Sequence, residues 1–221
     1  MQLSLTESFF KFLEWAYNDQ NDSFVKRWRT QRFRSFLDCV NPPKSAKILD
    51  LGGSSYIWEL MEHNFQVTIV NLPNNEEQFE ANCDRYTYVE GDATDLRQLF
   101  ADQSFDVIFS NSVIEHVGDE GKQAAFAAEV QRLGKAYWIQ TPSDRFPLEV
   151  HTGMLFYWQL PKFVQQRLKK SWRKKNPNWA AMVEGTRVLS RRKMRQLFPD
   201  AEIFSEQKLG FEKSYAAYRS F

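Results

Sequence analysis

The chain has 221 residues, 43% of them hydrophobic and 26% charged, a length and composition typical of one globular domain. An aromatic content of 15%, with only nine glycines and eight prolines, excludes the collagen-like and disordered classes. No apolar run approaches the roughly 18 residues that a membrane-spanning helix needs. The amino-terminal segment has no secretory cleavage motif, and Cys39 and Cys83 lack metal-binding spacing. We therefore expect a cytoplasmic protein.

The net charge of +1 conceals an uneven charge distribution. Residues 162–195 contain twelve lysines and arginines and one acid, Glu184, so this segment carries +11. The remaining 187 residues therefore sum to −10. The chain is divided into a mildly acidic body and one strongly basic segment.

The first 43 residues are predicted to form a helical cap. Apolar residues recur at spacings of three and four over 6–40, and Asn41-Pro42-Pro43 ends the second helix. After the prolines, short apolar runs alternate with helical stretches, the order typical of a parallel sheet with helices on both faces. The predicted strands cover 46–51, 66–70, 86–89, 105–110 and 136–140, and the predicted helices cover 56–63, 76–83, 95–100 and 119–133.

The alternation stops after Pro142 and resumes near residue 190. A predicted helix over 190–198 is followed by two strands, 201–205 and 215–219, with no long helix between them, which indicates an antiparallel hairpin at one sheet edge. We therefore expect an α/β fold with a doubly wound, mostly parallel, seven-stranded sheet whose last strand is antiparallel. The chain is expected to be a single domain over 1–221, with the helical cap at 1–43 and a helical insertion at 143–185 after the fifth strand.

The loop after the first predicted strand is a candidate binding site, because ligands of open α/β sheets bind beyond the carboxyl ends of the strands. Asp50 lies at the strand end, and Gly52 and Gly53 follow it. Glycines allow a sharp turn and close approach of backbone N–H groups to a ligand, and the Asp50 carboxylate can accept hydrogen bonds from an ammonium group. Two glycines alone are equally compatible with an ordinary strand-to-helix turn.

Three segments in order carry a family resemblance: KILDLGGSS at 47–55, GDATDL at 91–96 and FDVIFSNSVIEHV at 105–117. They resemble the cofactor motifs of class I S-adenosylmethionine-dependent methyltransferases of the methyltransferase type 11-like kind. TPSDRFPLEVH at 141–151 is similar to a subset often found with glycan, lipid or natural-product genes. The resemblance covers the chain from Lys47 onward. It implies a Rossmann-like fold and S-adenosyl-L-methionine as the cofactor, released as S-adenosyl-L-homocysteine.

The resemblance also implies cofactor roles for ten residues. Two departures from the family pattern concern Ser54 and Tyr56, which stand where glycine is usual, and Asn71, which stands where an acid accepts both ribose hydroxyls. Asn71 is equally compatible with a turn before Leu72-Pro73. By resemblance, the methionine part is assigned to Asp50, Gly52, Gly53 and Ser54, the ribose to Asn71 and Leu72, the adenine to Asp92 and Ala93, and the methyl-bearing end to Asn111 and Ser112.

Two histidines are candidate catalytic bases, since histidine titrates close to neutral pH. His116 follows the fourth strand and His151 the fifth, and we rank His151 first. His116 is equally compatible with capping a local turn, and His151 with an ordinary surface loop. Some quinone-pathway relatives bind a metal through an analogous Glu-His pair and an earlier acid, but Ser112 holds that place here, so no metal is expected. Substrate contacts are expected from Asp144, Arg145 and Tyr157.

Residues 162–175 predict a basic amphipathic helix, because Phe163, Val164, Leu168 and Trp172 share one face and cations occupy much of the rest. Three interpretations are open. In order of preference, they are a solvated helix covering the active site, peripheral contact with an anionic membrane where a lipid-linked acceptor resides, and nucleic-acid binding, for which no recognised module is present. The second interpretation would place the protein at the inner face of the membrane.

The resemblance implies methyl transfer to an oxygen or nitrogen nucleophile of a small molecule, or of a glycan- or lipid-linked acceptor, by in-line displacement. The helices at 6–40 and the insertion at 143–185 are the candidate lids that would exclude water. A second hypothesis is a catalytically silent cofactor-binding protein, motivated by the missing loop glycines and by Asn71. A nicotinamide dehydrogenase is disfavoured because Gly-x-Gly-x-x-Gly is absent.

Overall fold

A seven-stranded mixed sheet forms the framework of the protein. The computed structural model describes residues 24–73, 85–149, 154–155, 157–175, 177–208 and 210–221. The strand order is β3-β2-β1-β4-β5-β9-β8, and a separate two-stranded ladder pairs β6 with β7. The strands are β1 (Lys47–Leu51), β2 (Gln66–Asn71), β3 (Tyr86–Glu90), β4 (Phe105–Asn111), β5 (Gly134–Pro142), β6 (Leu148–Glu149), β7 (Met154–Leu155), β8 (Glu202–Lys208) and β9 (Phe211–Arg219).

Strands β1 to β5 are parallel, and β9 is antiparallel to both of its neighbours, β5 and β8. The predicted α/β fold, with an antiparallel last strand and a terminal hairpin, is therefore confirmed. The central strands are nearly continuous apolar runs because helices cover both faces of the sheet. The helices are α1 (Phe24–Val40), α2 (Ser55–Trp58), α3 (Glu120–Leu133), α4 (Lys162–Lys175), α5 (Pro177–Gly185) and α6 (Arg191–Leu197), with a 3₁₀ turn at Tyr157–Gln159.

Each face of the sheet has its own core. On the α1 face the core is aromatic, and Phe109 makes edge-to-face contacts with Phe36 and Trp58 at ring-centroid distances of 5.1 and 4.9 Å. On the opposite face, α3 and α6 cover the sheet with apolar side chains that include Phe126 and Met194. Much of the aromatic content is therefore used to attach α1 to the sheet.

Two predicted helices are corrected by the structure. The helix expected over 56–63 is only α2, since the chain turns back to β2 with the Phe65 N–H donating to His63 Nδ1 at 3.2 Å. The segment 95–100 forms turns instead of a helix. The N–H groups of Leu99 and Phe100 both donate to the Leu96 carbonyl oxygen at 3.0 Å, and the Leu96 N–H donates to Glu129 Oε2 at 2.9 Å.

The predicted insertion is also only partly helical, because β6, β7 and the 3₁₀ turn precede α4 and α5. Phe163 was expected on the apolar face of α4 and is instead 72% exposed. The predicted helices over 6–23 and 76–83 lie outside the described residues. Within the described ranges, no helix is both long and apolar enough to cross a membrane.

Candidate active site

The turn between β1 and α2 is built around two glycines. Gly52 has φ of +74°, and a Cβ added there would lie 2.7 Å from Val113 Cγ2. A Cβ added at Gly53 would overlap the carboxylate of Asp50. Both positions are closed to larger side chains, so the backbone of the turn passes directly beside this carboxylate.

Asp50 is fully buried at the end of β1, next to the point where the strand order reverses between β1 and β4. Its Oδ2 accepts a hydrogen bond from Trp58 Nε1 at 2.8 Å, whereas Oδ1 has no hydrogen-bond partner among the described residues. Burial raises the pKa of Asp50 to about 7, and the Trp58 hydrogen bond offsets part of that effect. A buried carboxylate oxygen without a donor can accept a hydrogen bond from a ligand.

The end of β2 supports the same turn. The Asn71 side-chain amide donates from Nδ2 to the Gly53 carbonyl oxygen at 2.9 Å. Leu72, which follows, is 63% exposed. Ser54 is the N-cap residue of α2, and its side chain makes no capping hydrogen bond. Asn71 therefore holds the glycine turn in place.

Asp92 lies after β3 at the same edge of the sheet. Its Oδ1 accepts hydrogen bonds from the Thr94 N–H and hydroxyl at 2.8 and 2.7 Å, and Oδ2 lies 3.3 Å from Lys122 Nζ. Partial burial alone would raise the pKa of Asp92, but the contacts with Thr94 and Lys122 outweigh it and lower the pKa. Ala93 packs partly buried against the core. A charged acceptor is thus fixed two strands away from Asp50.

The ends of β4 and β5 are joined by polar side chains. Ser112 has φ of +60°, and its hydroxyl donates to Gln140 Oε1 at 2.9 Å. Asn111 pairs with Gln140 in the sheet register, and Asn111 Oδ1 accepts from Arg32 Nη1 of α1 at 3.1 Å. The carboxyl edge of the sheet therefore brings together Asp50, the glycine turn, Asn71, Asn111 and Ser112.

The turn after β4 contains a buried acid beside one candidate base. Glu115 is fully buried, and its Oε2 accepts from the Thr141 hydroxyl at 3.0 Å. His116 Nε2 lies 4.0 Å from Glu115 Oε1, and His116 Nδ1 lies 3.4 Å from Thr186 Oγ1. The imidazole remains partly exposed, so it is within reach of solvent or a ligand.

The predicted substrate residues lie at the insertion. Asp144 and Arg145 are exposed, and Asp144 lines an open groove of about 460 Å³ with Gln123 and Arg187. Tyr157 is 1% exposed and its ring centroid is 5.7 Å from that of Trp172, so its aromatic ring serves packing within the insertion. His151, the first-ranked base, lies outside the described residues.

Several polar residues at this edge were not predicted from the sequence: Arg32, Trp58, Gln140 and Glu206. Arg32 stands between Trp28 and Phe36 at helical spacing, so a cation interrupts an apolar stripe, which is the pattern of a buried and paired arginine. Glu206 lies two residues after Phe204 on one face of β8, so a charged residue again follows an apolar one on the same face. The sequence pattern gave no comparable indication for Gln140.

Comparison with known proteins connects this site to a chemistry. Residues 49–136 match the family described as "Methyltransferase domain". They include the glycine turn, Asn71, Asp92 and the end of β4. No curated protein matches the sequence.

Solved structures share the fold at low sequence identity. The methyltransferase in the complex with the Trm112 activator of Haloferax volcanii has a TM-score of 0.56 and 16% identity, covering 94% of this chain and 96% of that chain. An S-adenosylmethionine-dependent methyltransferase of Archaeoglobus fulgidus has a TM-score of 0.59 and 12% identity, covering 95% and 98%. Haemonchus contortus phosphoethanolamine N-methyltransferase 2, solved with S-adenosylmethionine, has a TM-score of 0.56 and 17% identity, covering 89% and 42%.

The domain match and the fold make this chain an S-adenosylmethionine-dependent methyltransferase, with S-adenosylmethionine as its cofactor. The residues present fit that cofactor. One buried carboxylate oxygen of Asp50 has no donor among the described residues, and the turn beside it is closed to any side chain at Gly53. This is the arrangement needed to receive a positively charged amino group close to the backbone.

Proposed function

We propose that the protein transfers a methyl group by in-line displacement to an oxygen or nitrogen nucleophile of a small molecule or of a glycan- or lipid-linked acceptor. The observation that carries this proposal is the buried Oδ1 of Asp50 at the switch point of the sheet, which has no hydrogen-bond partner in the described part of the chain. When bound, the cofactor supplies an electrophilic methyl group on a sulfonium sulfur. The remaining chemistry is placement of the nucleophile and removal of one proton.

Each residue at the sheet edge has a proposed part. Asp50 accepts from the cofactor amino group, and Gly53 supplies a backbone N–H group. The Gly52 N–H already donates to the Val70 carbonyl oxygen at 2.8 Å, so Gly52 contributes the close approach of the turn. Asn71, already held by the Gly53 carbonyl, presents its amide oxygen toward the ribose, and Asp92 accepts from the adenine amine. By family position, Ser54, Leu72, Ala93, Asn111 and Ser112 complete the cofactor site.

Proton removal is assigned to a histidine. His116 lies 4.0 Å from the buried Glu115 carboxylate, which would stabilise the imidazolium formed when a proton is taken from the acceptor. His151 is the other candidate on the basis of the motif at 141–151. Asp144, Arg145 and Tyr157 are proposed to contact the acceptor, either directly or by shaping the insertion.

Similar structures leave the choice of nucleophile open. One is named a phosphoethanolamine N-methyltransferase and another an O-methyltransferase family protein from Burkholderia thailandensis. We therefore place this chain only in the oxygen-or-nitrogen class, and we retain the glycan, lipid and natural-product subset as a proposal from the motif at 141–151.

We further propose that the chain is one domain in which 1–43 is a cap fixed to the sheet through α1 and 143–185 acts as a lid. Within the insertion, α4 is joined to α5 by a pair of hydrogen bonds between Arg173 and Glu184 at 2.7 and 2.9 Å. Ala180 and Val183 of α5 are buried. A lid that moves as a unit can exclude water from the methyl group.

Isothermal titration of the full chain with S-adenosylhomocysteine tests the cofactor site, and binding is expected. A screen of hydroxyl and amine acceptors with S-adenosylmethionine, read out as S-adenosylhomocysteine formed, tests the transfer. Turnover on one acceptor class identifies the nucleophile. Tight cofactor binding with no turnover across the screen would favour a catalytically silent binding protein, and no binding at millimolar cofactor would overturn the proposed site.

A further inference from the structure

A group of cations lies at the carboxyl edge of the sheet, beside the proposed methyl-transfer site. Arg32 of α1 is 8% exposed, and its Nε and Nη2 donate to Glu206 Oε2 at 3.0 and 2.8 Å. The ammonium groups of Lys208 and Lys213 lie 3.9 and 3.8 Å from the other carboxylate oxygen, Oε1. The ring of Trp28 lies 5.8 and 5.4 Å from the same two Nζ atoms. We call Arg32, Lys208 and Lys213 the cation cluster.

The charges of the cation cluster are not balanced within the described structure. Among the described residues, Glu206 is the one carboxylate within 4.0 Å of the cluster, so three cations face a single anion. Burial, with a further effect from neighbouring Arg32, lowers the pKa of Lys213 to about 7. Crowding cations in a poorly hydrated place is unfavourable unless an anion compensates them.

The contacts differ between the arginine and the two lysines. Arg32 is held by short hydrogen bonds, but neither ammonium group donates to Glu206, whose Oε1 accepts no hydrogen bond from the described part of the chain. An ammonium group has three N–H donors. Lys208 and Lys213 therefore keep N–H donors that a ligand anion can use. The hydrogen-bonded pair of Arg32 and Glu206 holds the base of the site in place.

The cation cluster is continuous with the ends of β4 and β5. Arg32 Nη1 donates to Asn111 Oδ1 at 3.1 Å and lies 3.5 Å from Gln140 Oε1, the oxygen that also accepts from Ser112. Because β5, β9 and β8 follow β4 in the sheet, the cluster lies on the side of β4 away from Asn71 and Asp92. That is the side left for the acceptor when ribose and adenine occupy the ends of β2 and β3.

Building on the proposed methyl transfer, we propose that the cation cluster is an anion-binding subsite of the methyl acceptor. The acceptor would carry a carboxylate or phosphate group that Lys208 and Lys213 bind while Arg32 holds Glu206 and Asn111 in place. Charge-assisted hydrogen bonds to such a group would orient the nucleophile toward the methyl group. The subsite thus narrows the acceptor to anionic molecules.

The test uses the full chain saturated with S-adenosylhomocysteine and titrated with methyl phosphate or with acetate in a calorimeter. Lys213→Gln and Lys208→Gln should each weaken binding of the preferred anion about tenfold, the effect of removing one hydrogen bond to a charged group. Lys213→Arg should retain binding. Lys135→Gln is the matched control, since its ammonium pairs with Asp106 at the opposite edge of the sheet, and it should bind as the wild type does.

Three outcomes would overturn the anion subsite. The first is a wild-type protein that binds S-adenosylhomocysteine but neither anion, and the second is unchanged anion binding in both glutamine variants. The third is evidence that the two lysines bind the carboxylate of the cofactor and not the acceptor. For the last, Lys213→Gln would weaken S-adenosylhomocysteine but not 5′-methylthioadenosine, which lacks the amino-acid carboxylate. Failure of the wild type to bind S-adenosylhomocysteine would instead overturn the proposed function. Circular dichroism checks that each variant is folded. If Lys213→Gln does not fold, Lys208→Gln still tests the anion subsite.

Discussion

At the scale of single residues, Asp50 makes cofactor binding dependent on pH. Its pKa of about 7 means that the buried carboxyl is protonated below neutral pH and ionised above it. A cofactor ammonium group favours the ionised form, so affinity should rise with pH, by up to about tenfold per unit below 7, and level off above it. Calorimetric titrations with S-adenosylhomocysteine between pH 5.5 and 8.5 measure this slope.

Two comparisons isolate the Asp50 effect. Asp50→Asn should bind S-adenosylhomocysteine more weakly and without the slope, since its side chain does not titrate. The wild type should bind 5′-methylthioadenosine, which has no ammonium group, with no slope. A slope that persists in Asp50→Asn would assign the titration to another group.

A larger side chain at Gly53 is expected to weaken cofactor binding while the protein still folds. Gly53→Ala places a methyl group into the Asp50 carboxylate, so the turn or the carboxylate must move, and affinity for S-adenosylhomocysteine should fall at least about tenfold. Gly185→Ala is the control, because no described atom lies within 4 Å of a Cβ added there, and its affinity should be unchanged. Equal affinities in the two variants would show that the turn is not a binding surface.

The candidate bases can be separated by comparing turnover with cofactor affinity. His116→Ala and His151→Ala should each leave S-adenosylhomocysteine binding within about twofold, and the variant that lacks the base should lose about 10²–10⁴-fold in kcat. The pH dependence of kcat in the other variant should stay as in the wild type. Equal losses of affinity and turnover in either variant would mark that histidine as structural.

At the scale of elements, α1 is attached to the sheet through one buried ion pair as well as through aromatic packing. Arg32→Met removes the two hydrogen bonds from the guanidinium to Glu206 and leaves that carboxylate with the Ser214 hydroxyl as donor, so we expect the free energy of unfolding to fall by about 3 kcal/mol. Arg34→Met on the exposed side of the same helix should change it by less than about 0.5 kcal/mol. Urea unfolding of both variants measures the difference.

A double-mutant cycle with Glu206→Gln tests the origin of that loss. If the Arg32–Glu206 pair is responsible, Arg32→Met should cost less in the Glu206→Gln background than in the wild type, because the carboxylate is already absent. Additive losses would show that packing of the arginine stem dominates.

Local pattern sufficed for the seven strands of the main sheet, but not for β6 and β7 or for every helix. Runs such as Lys47–Leu51 are apolar enough to be recognised as buried strands without knowing their neighbours. Segment 95–100 has helical periodicity but forms turns, and it is attached to the domain by Glu129, more than thirty residues later, which accepts from the Leu96 N–H. That contact exists only once α3 has packed, so no local pattern contains it.

The candidate site was predictable from sequence only where its residues belong to one local motif. Asp50, Gly52 and Gly53 follow a strand within one short motif, and a strand-to-loop motif is visible in sequence. Arg32, Glu206 and Lys213 approach each other from positions up to 181 residues apart. Their juxtaposition depends on the placement of α1 and β9, which periodicity does not supply.

At the scale of the whole molecule, charge is concentrated in two separate places. The linear charge profile identifies only the +11 segment at 162–195. The cation cluster lies outside that segment and is assembled from two distant parts of the chain, α1 and the β8–β9 hairpin. The net charge of +1 therefore reveals neither the +11 segment nor the cation cluster.

Contact of the basic segment with an anionic membrane stays a prediction, and it can be tested. Phe163 is 72% exposed at the start of α4, next to lysines and arginines, a combination that suits peripheral contact with anionic lipid. Replacing Phe163 with Ser together with Lys169→Gln and Lys170→Gln should reduce sedimentation with phosphatidylserine-containing vesicles by at least about fivefold. Phe221→Ser, at another exposed phenylalanine, should sediment as the wild type does.

Vesicles of phosphatidylcholine alone provide the second comparison for this contact. The wild type should sediment with them no more than the triple variant does, because the cations have no anionic surface to meet. Equal sedimentation of wild type and triple variant with the anionic vesicles would leave α4 as a solvated cover of the active site.

The position of β9 imposes an order on how the protein is completed during synthesis. β8 is synthesised before β9 but pairs in the sheet only with β9, so β8 has no place in the sheet until the later strand has inserted beside β5. All proposed cofactor residues lie in the first 112 positions, whereas Lys208 and Lys213 flank the β8–β9 turn. A nascent chain can therefore assemble the cofactor site well before the acceptor's anion subsite exists, and the two halves of the active site mature at different times.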